Sequence, residues 1–173
     1  MNVNEVVSNR ANELLGMDLG SKSPVHPNDH VNLGQSSNDT FPTAINLSIV
    51  LDITENLLPS LVSLKDSLDQ KSKDFSDIIK IGRTHLQDAT PITLGQEFSG
   101  YAQMINNSIC KINDSLKYVR NLPQGGTAVG TGINTHPEFG RRVAKLISED
   151  TGIQFYEAEN HFEAQSTQDS VLT

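Results

Sequence analysis

The sequence predicts a mainly α-helical protein made of long helices, with short extended segments only in the loops between them. Along two long stretches, ending near Leu68 and Val119, apolar residues recur at intervals of three and four, the period of an amphipathic helix. Two further pairs, Thr93 with Gln96 and Thr135 with Glu138, have the spacing of a capping box, which marks a helix start. Against these, Ile78-Ile79-Lys80-Ile81 has strand character but is too short to be an independent helix.

At the N-terminus, Val3, Val6, Val7, Leu14 and Leu15 fall on one helical face. Asn2 and Glu5 are start signals and Gly16 is a stop, so a short amphipathic helix is expected. Periodicity vanishes from Met17 to Ser37, where Gly, Ser, Pro, Asn and Asp accumulate; loops of such length in compact domains are commonly functional. A long helix follows from about Phe41 to Lys71, its apolar face supplied by Ile45, Leu47, Val50, Leu51, Leu57, Leu58, Leu61, Leu64 and Leu68. Pro42 is tolerated in its first turn, whereas Pro59 should kink it.

The extended Ile78–Ile81 delivers the chain to Gly82, and Pro91 ends whatever precedes it. The first capping box then opens a helix at about Leu94. Its stripe of Leu94, Phe98, Tyr101, Ile105, Ile109, Ile112, Leu116 and Val119 is the most regular in the chain. At about 28 residues this helix spans about 42 Å, a length usual in bundles and subunit interfaces.

Residues 123–132 form a glycine-rich loop. It lacks the Lys-Ser/Thr ending of a phosphate loop and follows no strand of a βαβ unit, so close approach of its backbone to a helix or a small ligand accounts better for the glycines. The second capping box, Thr135 with Glu138, opens a short helix through Phe139, Val143, Leu146 and Ile147 that Gly152 closes, and puts His136 in the cap region. Residues 155–163 read as irregular, a further helix begins near Ala164, and Asp169 to Thr173 carries no stop signal.

The chain of 173 residues has the length of one ordinary domain, with apolar content for a modest core. A net charge of −8 weighs against nucleic acid and anionic membrane as partners, since both are bound through clustered Lys and Arg. Local binding of a small anion stays open. The single Cys110, inside a helical pattern, excludes an internal disulfide and a cysteine metal cluster, suits a reducing compartment, and is expected to pack. No apolar run approaches a membrane span and no signal architecture opens the chain, so a soluble intracellular protein is expected.

Polar residues gather in three places. Gly82–Glu97 crowds hydroxyls, an imidazole, an arginine and a carboxylate into a turn before a helix, with His85 on the loop. An imidazole there can exchange protons near neutral pH, and a backbone hydrogen bond would satisfy it equally well. Gln35-Ser36-Ser37-Asn38-Asp39 offers uncharged donors just before a helix, where free backbone N–H groups and partial positive charge suit a carboxylate; plain capping by Asp39 or Thr40 is the alternative. His26-Pro27-Asn28-Asp29-His30 is compatible with a simple Asx turn.

Four segments carry a resemblance: His-Pro-Asn-Asp-His-Val-Asn from His26, Gln-Ser-Ser-Asn-Asp-Thr-Phe-Pro-Thr-Ala from Gln35, Gly-Arg-Thr-His-Leu-Gln-Asp-Ala-Thr-Pro from Gly82, and Gly-Gly-Thr-Ala-Val-Gly-Thr-Gly from Gly125. In this order and spacing they resemble class II fumarate hydratase of the fumarase/aspartase superfamily, over essentially the whole chain. Aspartases carry Gln where this chain has His85, and argininosuccinate lyases lack the Ser-Ser-Asn-Asp-Thr-Phe-Pro segment, so fumarase is the better match. The resemblance implies a long-helix bundle of the fumarase/aspartase type, incomplete here, that assembles as a homotetramer with the stripes Ile45–Leu68 and Leu94–Val119 as core helices. It also implies a cytoplasmic location, or the mitochondrial matrix in a eukaryote.

Carried over by residue, the resemblance makes His85 the imidazole in proton transfer to or from the added water, and Thr84 a ligand of a substrate carboxylate. Ser36, Ser37 and Asn38 correspond to carboxylate-binding hydroxyls and amide, and His26, Pro27, Asn28 and Asp29 to a second, peripheral dicarboxylate site. There Ser23 and Pro24 stand where some relatives have an arginine, leaving Lys22 as the nearest cation. The implied reaction is reversible trans hydration of fumarate to L-malate, with no metal or cofactor required.

The resemblance further implies a central piece of the family pattern. Residues 1–37 then hold a short helix and a substrate-loop region, and residues 38–173 a central helical domain. The signature Gly-Ser-Ser-x-Met-Pro-x-Lys-x-Asn, which brings the catalytic serine, would lie beyond Thr173. On that expectation the isolated chain self-associates and lacks hydratase activity; the alternative is a non-catalytic helical remnant or assembly module.

Overall fold

The computed structural model describes residues 2–172. In order these form α1 (Asn2–Leu14), a π-helical turn (Pro27–Val31), α2 (Ser37–Asp52), a π-helical stretch (Ile53–Leu57), α3 (Leu58–Asp74), β1 (Ile79–Thr84), β2 (Gln87–Thr93), α4 (Leu94–Val119), β3 (Asn121–Leu122), α5 (Phe139–Thr151), β4 (Tyr156–Glu157), α6 (His161–Ser166) and α7 (Asp169–Leu172). The mainly α character with short strands is as expected. Met1 and Thr173, the latter closing the segment read as having no stop signal, lie outside the described residues. The chain gathers into two compact units, one of residues up to Leu47 together with those from Arg120 onward, the other Ser48–Val119; the boundary falls inside α2.

In the first unit, α1 ends where Gly16 takes a left-handed φ of +76°. The face it buries is not the apolar one expected. Asn4, Ser8 and Asn12 are buried, whereas Val3, Val6, Val7, Leu14 and Leu15 are exposed. Hydrogen bonds explain the orientation: Ser8 Oγ and Asn12 Nδ2 donate to the Val25 carbonyl at 2.6 and 2.9 Å, and Asn12 Oδ1 accepts the Val25 N–H at 2.9 Å. Asn4 Nδ2 also donates to Asn32 Oδ1 at 2.9 Å. Ser8 and Asn12 thus satisfy backbone groups of the aperiodic loop, which has no ladder of its own.

Leu122, Ala144, Phe155 and Ala158 form the apolar core of this unit. They are brought together by β3 and β4, a short parallel pair with Asn121 opposite Tyr156 and Leu122 opposite Glu157. The expected Thr135–Glu138 capping box is not formed. Glu138 itself occupies the cap position of α5, so Thr135 lies too early to reach the free N–H groups. Instead His136 Nδ1 accepts the Glu138 N–H at 3.2 Å, and the Glu138 carboxylate pairs with Arg141 and Arg142. Gly152 closes α5 in the left-handed region, as the sequence indicates. The next helix, α6, starts at His161, ahead of Ala164, because the Asn160 side chain caps it by accepting the Glu163 N–H at 3.1 Å.

In the second unit the helical path runs on to Asp74, with its irregularity at Ile53–Leu57. Pro59 has no N–H for the Glu55 carbonyl and its ring crowds the preceding turn, so the ladder widens to π spacing just before it. Because α2 opens at Ser37, earlier than Phe41, the continuous helix Ser37–Asp74 reaches 38 residues. By length and composition alone it is long and apolar enough to cross a membrane. This corrects the expectation that nothing approaches a span: Asn46, Ser48 and Asp52 interrupt the apolar run in the sequence, whereas the helix is unbroken. A bundle helix of a water-soluble protein passes the same test.

Helices α3 and α4 pack together through an edge-to-face Phe75–Phe98 pair at 5.3 Å, extended by Tyr101 at 5.7 Å from Phe98. The Thr93–Gln96 box is formed in both directions, Thr93 N–H to Gln96 Oε1 at 2.9 Å and Gln96 N–H to Thr93 Oγ1 at 3.1 Å, and α4 starts at Leu94. Strands β1 and β2 make an antiparallel hairpin in which Ile79 faces Thr93 and Thr84 faces Gln87. Pro91 does not end the preceding segment; it sits within β2, opposite Ile81, where a two-stranded ribbon leaves an open edge that needs no further N–H. Cys110 is exposed and does not pack in this chain, since it lies beside the Ile109 stripe and not on it.

Candidate functional site

Ser36 immediately precedes α2. Its backbone N–H donates to Asp39 Oδ1 at 2.9 Å and its Oγ accepts the Asn38 N–H at 3.2 Å, a reciprocal capping box with aspartate in the third place. This satisfied start is why the helix opens at Ser37. Asn38 reaches outward and donates its side-chain amide to the Ala128 carbonyl at 2.7 Å.

Asp39 is fully buried. Its Oδ2 accepts the backbone N–H groups of Thr127 at 2.8 Å and Gly125 at 3.1 Å and the Gln124 amide at 3.2 Å, while Thr40 Oγ1 lies 3.3 Å from Oδ1. A buried carboxylate is costly unless its lone pairs are met. Here neutral donors on the glycine-rich loop meet them. The loop is itself seated by close backbone contact: a Cβ on Gly125 would lie 2.9 Å from the Gly140 Cα. Approach to a neighbouring helix therefore accounts for this glycine.

Asn28, Asp29, Ser36, Thr127, Ala128 and Asn134 border one cleft of about 490 Å³, entirely within the first unit. Ser36, from the candidate substrate set, and Asn28 and Asp29, from the candidate peripheral set, thus share a cavity wall. The His26 imidazole turns inward on its own segment, with Nδ1 accepting the N–H groups of Asn28 and Asp29 at 3.3 and 3.2 Å, and His30 Nδ1 accepting the His26 N–H at 2.8 Å. Asp29 Oδ2 lies 3.2 Å from the same Nδ1. Pro27 is buried at the start of this π turn, in a position that needs no N–H. The turn is therefore capped by an imidazole, not by an Asx side chain.

Thr84 and His85 belong to the second unit. They sit at the tip of the β1–β2 hairpin, where the two-residue turn is His85-Leu86 with φ of +49° and +63°. Primed hairpin turns demand positive φ and normally recruit Asn or Gly. Two side-chain-bearing residues there store local strain, and they hold both His85 and Leu86 in the open, Leu86 at 96 % exposure. At the hairpin base Lys80 hydrogen-bonds Glu97, and Tyr101 donates to Glu97 Oε1 at 2.8 Å. Lys80 first and Tyr101 second hold the Glu97 carboxyl below the usual glutamate range, and Glu97 in turn pushes the Tyr101 phenol up. Among the described residues no group of three or more His, Cys, Asp or Glu side chains is arranged to hold a metal.

The profile of a family described as lyase matches residues 1–173. The chain belongs to this lyase family. It is 58 % identical over 172 residues to the mitochondrial fumarate hydratase of Rhizopus oryzae, covering 99 % of this chain and 35 % of that one. It is 56 % identical to the class II fumarate hydratase of Methylorubrum extorquens, covering 99 % of this chain and 36 % of the relative. The crystal structure of class II fumarase from Schistosoma mansoni superposes with a TM-score of 0.94 at 44 % identity, over 99 % of this chain and 39 % of that one. The chain thus spans about a third of the length of the relatives it matches.

Sequence reasoning sees Asp39 only as a candidate cap of α2, not as a partner of the glycine-rich loop, and passes over Thr127. The Ser36-x-x-Asp39 spacing before a helix, together with a glycine-rich loop full of backbone donors, was the signal available for the first. Thr127 takes φ of +56°, which no local pattern announces.

Proposed function

We propose that this lyase chain forms part of a fumarate hydratase site, for reversible trans addition of water to fumarate giving L-malate. The observation that carries the reading is the cap of α2, where Ser36, Ser37 and Asn38 sit at a helix N-terminus of 16 residues beside a cleft. A dianionic substrate needs neutral donors and partial positive charge, and hydration needs stabilisation of a carbanion spread into one carboxylate. The relatives' names support the same chemistry.

In this reading Ser36, Ser37, Asn38 and Thr84 bind substrate carboxylates, and His85 moves a proton to or from the adding water. His26, Pro27, Asn28 and Asp29 form the second dicarboxylate site. Residues 1–37 carry the substrate-loop region and 38–173 the helical scaffold. The partners are fumarate, L-malate and further copies of the protein in a homotetramer, with no nucleic acid and no membrane. The compartment is the cytoplasm, or the mitochondrial matrix in a eukaryote. Exposed apolar side chains such as Val3, Val6, Met104 and Tyr118 support self-association.

The test is a chimera in which these 173 residues replace the matching third of the Rhizopus oryzae enzyme. Interconversion of fumarate and L-malate, with KM raised in the chimera when Ser37 becomes alanine, is the expected result. An intact tetrameric chimera without hydratase activity overturns the reading.

A further inference from the structure

We infer that Asp39 is a positioning residue, one that sets the glycine-rich loop and the α2 cap as a single piece on the cleft wall without itself touching the ligand. The inference takes the ligand's identity, a dicarboxylate, from the fumarate hydratase reading above. Three observations carry it independently of that reading.

Asp39 is fully buried and spends its lone pairs on the loop and the cap: Thr127 N–H at 2.8 Å, Gly125 N–H at 3.1 Å and Gln124 Nε2 at 3.2 Å on one oxygen, Ser36 N–H at 2.9 Å on the other. Only an acceptor-only group fits between four N–H donors. Thr127, secondly, is β-branched and held at φ of +56°, a conformation such residues avoid. Its N–H is fixed by Asp39, and its carbonyl accepts Gln165 Nε2 at 2.7 Å from α6. Thirdly, Thr127 Oγ1 is buried without a hydrogen-bond partner, so the side chain gains nothing locally from this placement. The conformation is held from outside the loop, by Asp39 on the Thr127 N–H and Gln165 on its carbonyl. Because Ser36 and Thr127 both border the cleft, the same carboxylate fixes two parts of its wall.

The sign of the effect separates positioning from simple electrostatics. A buried negative charge near the site repels a dicarboxylate, so removing that charge alone would tighten binding. Losing a positioning residue weakens it. Asp39→Asn keeps the size but turns an NH₂ group toward donors that need an acceptor. In the chimera it is expected to raise KM for L-malate about 10-fold while kcat changes less, and to expose the Gly125 and Thr127 amides to hydrogen exchange. An unchanged or lowered KM overturns the inference, as does retained protection of those amides.

If the chimera carrying native Asp39 lacks hydratase activity, the dicarboxylate reading fails by itself, and amide protection in Asp39→Asn still decides the positioning role. If Asp39→Asn does not fold, Gln124→Met takes its place, removing one side-chain donor and leaving both backbone donors. A smaller rise in KM with partial loss of Gly125 and Thr127 protection supports the inference. Native protection and KM in Gln124→Met overturn it.

Discussion

Asn38 donates its side-chain amide to the Ala128 carbonyl at 2.7 Å, bridging 90 positions of sequence between the first turn of α2 and the glycine-rich loop. One amide hydrogen is committed there, and the second is left for a ligand oxygen. Asn38→Ala is therefore expected to cost about 1 kcal/mol in urea unfolding and to weaken binding of an L-malate analogue by about 1–3 kcal/mol. Ser37→Ala, at an exposed position, should weaken binding similarly and leave the unfolding midpoint nearly unchanged. Calorimetric titration of both variants in the chimera checks this. Unchanged affinity in either removes that residue from the site.

His85→Asn is expected to lower turnover by about 10²–10⁴-fold with a much smaller rise in KM, the effect of losing a proton-transfer group. Asparagine is the informative replacement because it tolerates the left-handed φ of +49° that the hairpin tip requires, so the turn survives. Steady-state kinetics of the chimera with L-malate is the measurement. A change confined to KM would assign His85 to binding alone.

The helices and their caps were legible where local chemistry decides them. Thr93 and Gln96 lie within reach of each other whatever the rest of the chain does, and the start of α4 follows. The orientation of α1 was not legible, because Asn12, Ser8 and Asn4 are buried by bonds to Val25 and Asn32, partners that no periodicity connects. The same holds for the candidate site. The donors before α2 stand out as a cluster, whereas the role of Asp39 depends on Gly125 and Thr127, which only the folded chain brings to it. Thr135 and Glu138 have the right spacing and still form no box, since α5 begins after Glu138.

The Lys80–Glu97–Tyr101 cluster gives the hairpin base a pH window. Glu97 has its carboxyl lowered on folding, so its contribution is full above the ordinary glutamate range and is lost as pH falls through the depressed value. Tyr101 is raised, so its contribution holds below the ordinary tyrosine range and is lost as pH rises through the raised value. Thermal melts of Glu97→Gln against the native chain should differ near neutral pH and converge on the acid side. The Glu97 side chain is 29 % exposed and Lys80 36 %, so about 1 M salt should also narrow the difference. A difference that persists at low pH would locate the effect elsewhere.

Gly95, in the first turn of α4, is placed where no side chain fits. Its N–H donates to the Phe75 carbonyl at 2.9 Å and its carbonyl accepts Ser72 Oγ at 2.8 Å, so backbone meets backbone at the end of α3. A Cβ there would overlap the Ser72 carbonyl oxygen and lie 2.9 Å from Ser76 Cα and 3.0 Å from the Phe75 carbonyl carbon. These are main-chain atoms, which cannot swing aside as a side chain would. Alanine is a better helix former than glycine by about 1 kcal/mol, and on propensity alone Gly95→Ala would stabilise α4. Overpacking costs about 1–3 kcal/mol and occasionally more, and with rigid neighbours the clash wins. Gly95→Ala is therefore expected to lower the unfolding midpoint, whereas Gly100→Ala on the same helix, with nothing within 4 Å of its Cβ, should raise it slightly. Both variants melted side by side, with far-UV circular dichroism as the readout, give opposite signs if backbone contact between α3 and α4 controls this junction. A stabilised Gly95→Ala would show that α3 and α4 separate there at little cost.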